Sequence, residues 1–424
     1  MTADANSRAL RRIHAVRPQW RAVMPAREAV GLPSHTLLHA GPPFVDARQP
    51  SAPVLSSAVL CCLYEGWARD ESEAQQLIAT GRVRLESAQS YDVVTPLAAV
   101  ISPRTALVEV ADGTSPARCA WSLLGSGAGP QLRFGSRDPL ILPRLAWRDA
   151  VLAPALETML QQGALDLSPL ARAGLDDGDD LHARTTGATA ALRAVLASRY
   201  GESESAPVVD AMLAQTPLFF LTLWMAACAL MLSAGGNGAT GERRAEQRFP
   251  RAAQPPTPAS AGAGPDHDAT LVIALAGNGS EVGIRLAGAP ARWVTTPASC
   301  PVGPRLPGHK QTPAAPLVGD SGAIDAAGFG AQALGVAPDT AQAFASFLPS
   351  NWQTMQPRVH TDGHPLFGRL PGVLDATRVA ETGIAPLAAI AMVGEDGRAG
   401  LLGRGLYTPP VDLFQRAVAQ LRSA

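Results

Sequence analysis

Five short stretches carry the residues able to do chemistry. In Gly319–Leu334, "GDSGAIDAAGFGAQAL", Asp320 and Ser321 stand where a helix would begin. Either side chain can cap the first free N–H groups, and the same N–H groups attract a phosphate or carboxylate. The small residues Gly322, Ala323, Ala326, Ala327 and Gly330 equally suit a tight turn into a packed helix, so both readings stay open. His39 in "LLHAGPPF" precedes Gly41, Pro42 and Pro43, a rigid turn that either aims an imidazole into a cleft or satisfies it with its own carbonyls. His182 and Arg184 follow Asp176, Asp177, Asp179 and Asp180. Carboxylates beside an imidazole suit a metal; they equally suit a solvated helix N-terminus, whose dipole favours negative charge. Asn278 and Gly279 offer an amide and bare backbone to a substrate, or form a type I′ turn. Thr382 and Gly383 in "ETGIAP" donate to an anion or cap a turn. No GxxxxGK[ST], GxSxG or HExxH motif occurs, and "GSGAG", Gly125 to Gly129, has the wrong spacing for a dinucleotide fingerprint.

The elements that must position these residues follow from hydrophobic period. A turn-rich opening leads to a helical "SSAVLCCLYEGWARDESEAQQLIATG" and then β-like pieces "VRLES", "LAAVIS", "TALVEVADG" and "ARCAWSLLG". Helical spacing returns in "PLILPRLAWRDAVLAPALETMLQQG", "GATAALRAVLASRY" and "APVVDAMLAQTPLFFLTLWMAACALML". Residues 235–268 are rich in Gly, Pro and Ala with almost no large apolar side chain, which reads as a flexible linker or surface insertion. Beyond it "TLVIALAGNGSEVGIRLAG" is a hairpin around Asn278-Gly279, "PDTAQAFASFLP" a helix, "AIAMVGEDGRAGLLGRGLYTPP" a second hairpin, and "DLFQRAVAQLRSA" a final helix. The expected fold is α+β: a multi-helix core with antiparallel hairpins, in two lobes separated by the linker. Its regions are 1–145, α+β; 146–234, helical; 235–268, linker; and 269–424, α+β with Gly-rich turns.

Composition limits the function classes. Lys plus Arg (35) balances Asp plus Glu (36), with no basic block interleaved with aromatics, so nucleic acid is not an expected partner. The apolar run Pro217–Leu232 is shorter than the ~20 residues of a bilayer-spanning helix and reads as a core helix, with no membrane association. Arg8, Arg11, Arg12 and Arg17 are not followed by a signal-peptide core, and Cys61, Cys62, Cys119, Cys228 and Cys300 lack CxxC spacing. The expectation is a cytoplasmic protein with buried thiols.

Taken in order, "LLHAGPPF", "LYEGWARDESEAQQLIATG", "PLAAVISP", "LRFGSRDPLILPRLAWRDAVLAPAL", "DLHARTTGAT", "FFLTLWMAAC", "GNGSEVGIRLAG", "VGDSGAIDAAGFGAQAL" and "ETGIAPLAAIAM" resemble the bacterial family typified by AllG (YlbE-like), a subunit of oxamate carbamoyltransferase. The resemblance spans about residues 15 to 420 and is interrupted by the linker. It implies anaerobic purine or allantoin nitrogen metabolism. Oxalurate, a small N-carbamoyl acid, and phosphate become oxamate and carbamoyl phosphate, with the help of an acyl-CoA-synthetase-like subunit and a third small subunit. No cofactor or metal is implied. Carried onto this chain, the resemblance makes His39, His182 and Arg184 the catalytic candidates. Asn278, Gly279, Asp320, Ser321, Thr382 and Gly383 become the substrate- and anion-binding candidates. Where the family has a His-rich patch this chain reads "SAQSYDVVTPLAAVISP"; where it has an Asn-Glu-Gly-Leu-Gly-like stretch this chain reads "LLGSGAG"; and Arg184 is followed by Thr185 rather than Asn. These departures leave two readings, a catalytic subunit with altered contacts and a non-catalytic scaffold subunit.

Overall fold

The helix Phe219–Ser233, apolar on every side, sets the centre of the molecule: thirteen of its fifteen residues are buried, as an all-round apolar helix requires. The computed structural model describes residues 2–236, 266–368 and 370–423. Residues 237–265, most of the expected linker, lie outside the described residues.

Strands β1 (Pro18–Pro25), β2 (Thr36–His39), β3 (Arg84–Ser87), β4 (Val93–Val94), β5 (Val100–Ile101), β6 (Ala106–Asp112), β7 (Ser115–Leu123) and β8 (Leu165–Asp166) precede the central helix. After it come β9 (Val272–Asn278), β10 (Glu281–Leu286), β11 (Ala289–Pro297), β12 (Val318–Gly319), β13 (Ala388–Val393) and β14 (Leu401–Tyr407). They form four sheets, ordered β4-β7-β6-β1-β8, β3-β2-β5, β11-β10-β9-β12 and β13-β14. The α+β class and its antiparallel hairpins are as the sequence implies; the pairs β2–β3 and β4–β7 are parallel.

Strand β6 shows how period becomes packing. Every residue in it is buried, and alternation sends Ala106, Val108 and Val110 to the main core and Leu107 to a second cluster with Leu38, Ile101 and Trp121. Glu109 on the same strand is buried as well, and is offset by Arg21 of β1 through two hydrogen bonds of 3.0 and 2.7 Å. The main core is one continuous cluster that includes Ala5, the central helix, β9 and Leu421.

Three local expectations change. The opening is turn-rich only around "LLHAGPPF": before it Thr2–Ala15 is a helix, with Ala5, Ala9 and Ile13 buried at helical spacing, and β1 follows that helix. Its Arg8 and Arg12 bind buried Asp266 at 2.6 and 2.5 Å, and Arg12 also donates to the Gly235 carbonyl at 2.6 Å, so residues on both sides of 237–265 are tied to it. The long helical stretch after Ser51 is two helices, Ala52–Glu65 and Glu71–Ala79, divided at Gly66, whose φ of 73° stops the first. Of the thiols, Cys61, Cys62 and Cys228 are buried, Cys119 is half-buried and Cys300 is exposed. Among the described residues no single helix is long and apolar enough to cross a membrane.

Candidate functional site

Three sequence-distant stretches meet around one carboxylate. Asp320 is fully buried and accepts hydrogen bonds from the Gly41 N–H (2.9 Å), the Gln89 amide (2.7 Å) and the Thr95 N–H (2.8 Å). Burial pushes its pKa up to about 6, against the pull of these donors. Asp320 is therefore not the cap expected for the next helix. That helix is only Gly322–Ala326, and its N-cap is Ser321 without a side-chain bond.

The same junction uses up the groups of its neighbours. Asn278 donates to the Pro42 carbonyl at 3.0 Å and accepts from the Ser280 and Glu281 N–H groups at 2.9 and 2.8 Å, so its amide is occupied. The two-residue loop is Gly279-Ser280, with positive φ (86°) at Gly279 and not at Ser280, which is a type II′ arrangement rather than the expected I′. The Gly279 N–H donates to the Leu317 carbonyl, and a Cβ there would lie 2.2 Å from Ser51 Oγ. His39 ends β2 completely buried, with Nδ1 on the Ala40 carbonyl at 2.8 Å, the ring 4.3 Å from that of Phe44, and Nε2 unpartnered. Burial pushes its pKa down to about 4, so it is neutral.

Gln89 links this junction to a cavity of 310 Å³. Its amide oxygen accepts from Arg285 Nη2 at 2.5 Å, while Arg285 Nη1 donates to the Pro290 carbonyl at 3.0 Å. Arg285 sits where the β9–β10 register shifts, and its guanidinium lies 4.9 Å over the Trp293 ring. Its Nε is buried without a partner, and burial lowers its pKa although Asp320 and Asp92 act against the shift. Pro43, Gln89, Asp92, Arg285, Trp293 and Ala323 are on the cavity wall. An arginine with a spare donor beside an indole suits a small planar molecule with an anionic or carbonyl end.

His182 and Arg184 belong to a second buried cluster at the other end of Gly322–Ala326. His182 Nδ1 lies 2.7 Å from Asp325 Oδ2, and the other Asp325 oxygen accepts from the Ala331 and Ala389 N–H groups at 2.8 and 2.9 Å. Asp180 accepts from the His182 and Ala183 N–H groups, while Asp179 accepts from those of Gly187 and Ala188 and binds Arg184 at 2.7 Å. Asp179 and Asp180 are thus fully buried caps rather than a solvated run. Among the described residues no group of three or more His, Cys, Asp or Glu is placed to hold a metal.

Thr382 and Gly383 join neither cluster. They end the helix Ala376–Thr382, with Thr382 donating to the Arg378 carbonyl at 2.6 Å and Gly383 as an exposed left-handed cap. A helix C-terminus presents carbonyls and the negative dipole end, the wrong polarity for an anion. The structure brings His39, Asn278, Gly279, Asp320 and Ser321 together, and links them through Gly322–Ala326 to His182 and Arg184. Gln89, Arg285 and Asp325 were not singled out by the sequence reading. Arg285 alone had a signal, a cation placed in an apolar strand.

The fold and cavity define an α+β protein with a buried, hydrogen-bonded carboxylate junction beside a small pocket lined by an arginine and an indole. The family described as "Oxamate carbamoyltransferase subunit AllG" matches residues 83–241 and 258–321, more than half of the chain, and the chain belongs to that family. Among similar proteins, "Oxamate carbamoyltransferase subunit AllG" of Escherichia coli (strain K12) is 29% identical over 99% of this chain and 97% of its own. "Uncharacterized protein YahG" of the same strain is 27% identical over 98% of this chain and 85% of its own. The crystal structure of a conserved protein of unknown function from Enterococcus faecalis V583 superposes with a TM-score of 0.85 at 25% identity, covering 100% of this chain and 98% of that one.

Proposed function

We propose that this chain is a subunit of a cytoplasmic carbamoyltransferase-type enzyme that converts an N-carbamoyl acid such as oxalurate, with phosphate, to oxamate and carbamoyl phosphate. Its partners are an acyl-CoA-synthetase-like subunit and a third small subunit, and its setting is purine or allantoin degradation. The family and the near full-length similarity to a protein named as such a subunit support the reaction class. The single observation that carries the site is Arg285, which lines the 310 Å³ cavity beside Trp293 and whose Nε is buried without a partner.

In this reading the planar acid lies against the indole, and Arg285 Nε donates to its carboxylate or carbamoyl oxygen. A phosphate oxygen bonds to the carbamoyl carbon, the bond from that carbon to the oxamate nitrogen breaks, and that nitrogen takes up a proton. Gln89 and Asp320 are positioning residues: Asp320 holds the Gln89 amide nitrogen, and the Gln89 oxygen holds Arg285. Calorimetric titration of oxamate into the purified chain tests the site. Saturable binding by the wild type and about tenfold weaker binding by Arg285→Met is expected, the loss of one charge-assisted hydrogen bond. Equal affinity in a folded Arg285→Met would contradict it.

A second reading, a non-catalytic scaffold subunit, is favoured by a specific observation: Asn278, Asp320, His182 and Arg184 spend their side-chain groups on internal bonds. Under that reading the assembled enzyme keeps its activity in Arg285→Met.

A further inference from the structure

Strand β7 runs into the loop Leu124–Pro130, where Gly127 and Gly129 take φ values of 80° and 98°. Two of the loop's carbonyls are occupied: Arg144 Nη2 donates to Ser126 at 2.8 Å and the Gln131 amide to Gly127 at 2.7 Å. The N–H groups of the same two residues are not. Ser126 and Gly127 are buried, and among the described residues no acceptor takes their N–H groups. Buried amides left without acceptors are uncommon, and successive ones in a glycine loop form an anion-sized concavity.

This loop borders a cavity of 190 Å³ that Arg133, Arg148, Thr216 and Thr222 also line, and no Asp or Glu is on its wall. The Arg133 side chain forms no hydrogen bond or ion pair with the described residues, although its carbonyl accepts from the Ala98 N–H. Its Nε is buried and unpartnered, and its Cζ lies 5.0 Å over the Phe134 ring. Burial alone acts on its pKa, pushing it down to about 10, with no carboxylate to oppose the shift. Arg148 is 1% exposed and gives Nε and Nη2 to Asp149 at 2.6 and 2.9 Å, which leaves Nη1 over. Arg133 is half-buried and Arg148 fully buried, no carboxylate is on the cavity wall, and a small anion would offset the positive charge gathered there.

We infer that this cavity binds a small oxyanion, either inorganic phosphate or the carboxylate of a small acid, through Arg133, Arg148 Nη1 and the N–H groups of Ser126 and Gly127. The site is separate from the Arg285 cavity. Along β7 the two are bordered by Leu123 and Ala120, and along the central helix by Thr222 and Ala229, offsets of roughly 10 Å in each direction. That is too far for direct transfer between ligands, so this inference does not rest on the function proposed above.

The test is calorimetric titration and thermal unfolding of the full chain with inorganic phosphate, and separately with oxamate, at matched ionic strength. Wild type and Arg285→Met are expected to bind one of the two saturably at this site and to unfold at higher temperature with it. Whichever binds more tightly in Arg285→Met identifies the ligand class. Arg133→Met is expected to lose that binding while its ligand-free melting temperature is no lower than wild type, because a half-buried cation without a carboxylate partner has been removed; a merely structural arginine would lower it. Arg133→Lys keeps the charge but lacks Nε, and is expected to bind several-fold more weakly, which covers the case in which Arg133→Met does not fold. In the Arg285→Met background, unchanged binding when Arg133 is also replaced, or no saturable binding of either probe, would each overturn the inference.

Discussion

Asp320 yields the most quantitative prediction, because a fully buried carboxylate with a raised pKa destabilises the fold when it ionises. Its folded pKa is about 6 and its ordinary value 3.8. The folded state therefore holds the proton more tightly than the unfolded state, and the group's contribution to stability is greatest in acid and is lost as pH rises from about 4 through 6. Integrating that linkage between pH 4.5 and 7.5 gives about 2 kcal/mol more stability at the acid end from this one group. Asp320→Asn removes the titration. It retains an oxygen for Gly41 and Gln89 but turns an NH₂ toward the Thr95 N–H, which adds a roughly pH-independent cost of about 1–3 kcal/mol. His39, held neutral with a pKa of about 4, works in the opposite direction, losing stability as pH falls from 6.5, but it is present in both proteins and cancels. Urea unfolding of both proteins at the two pH values is the assay. The stability of the wild type relative to Asp320→Asn should increase by about 2 kcal/mol on acidification. A flat difference, or one moving the other way, would refute the reasoning and mean that the donors outweigh burial at this carboxylate.

Two further outcomes follow from the same geometry. Gly279→Ala must place a Cβ against Ser51 at a φ of 86°, and should cost about 1–3 kcal/mol in urea unfolding, partly recovered by Ser51→Gly; a neutral Gly279→Ala would show that the hairpin is not pinned there. Asp325→Ala strips the Ala331 and Ala389 N–H groups and His182 of their buried partner and should cost roughly 3–5 kcal/mol, seen as a large fall in melting temperature, whereas a fall no larger than that of an exposed substitution would contradict the dyad's structural role.

What the sequence made legible was what local period and turn chemistry control. The hairpin at Gly279, the core helix Phe219–Ser233 and the β13–β14 pair follow from Asn-Gly, from an unbroken apolar face and from flanking glycines. The N-terminal helix escaped because its buried face is mostly alanine, a weak apolar signal, and the buried partner of Arg8 and Arg12, Asp266, is more than 250 positions away in sequence. At the site, His39, Asn278 and Asp320 were recognisable as polar residues in tight turns. His39 meets the carbonyl of Ala40 within its own turn, one of the two readings the sequence allowed, whereas the bonds of Asn278 to Pro42 and of Asp320 to Gly41 and Gln89 depend on contacts between distant segments that no local pattern encodes. Arg285 and Arg133 escaped for the converse reason. An arginine in sequence gives no sign of lacking a carboxylate partner, and only the packing of β10 and of the loop after β7 leaves these two with spare donors.

The most direct measurement is carbamoyl phosphate formation from oxalurate and phosphate by this chain assembled with its partner subunits, compared between wild type and Arg285→Met. The account predicts activity that requires this chain and falls at least about tenfold in kcat/KM in the variant while the complex stays intact. Full activity in an intact Arg285→Met complex would contradict a substrate site in the Arg285 cavity and leave the chain as a scaffold.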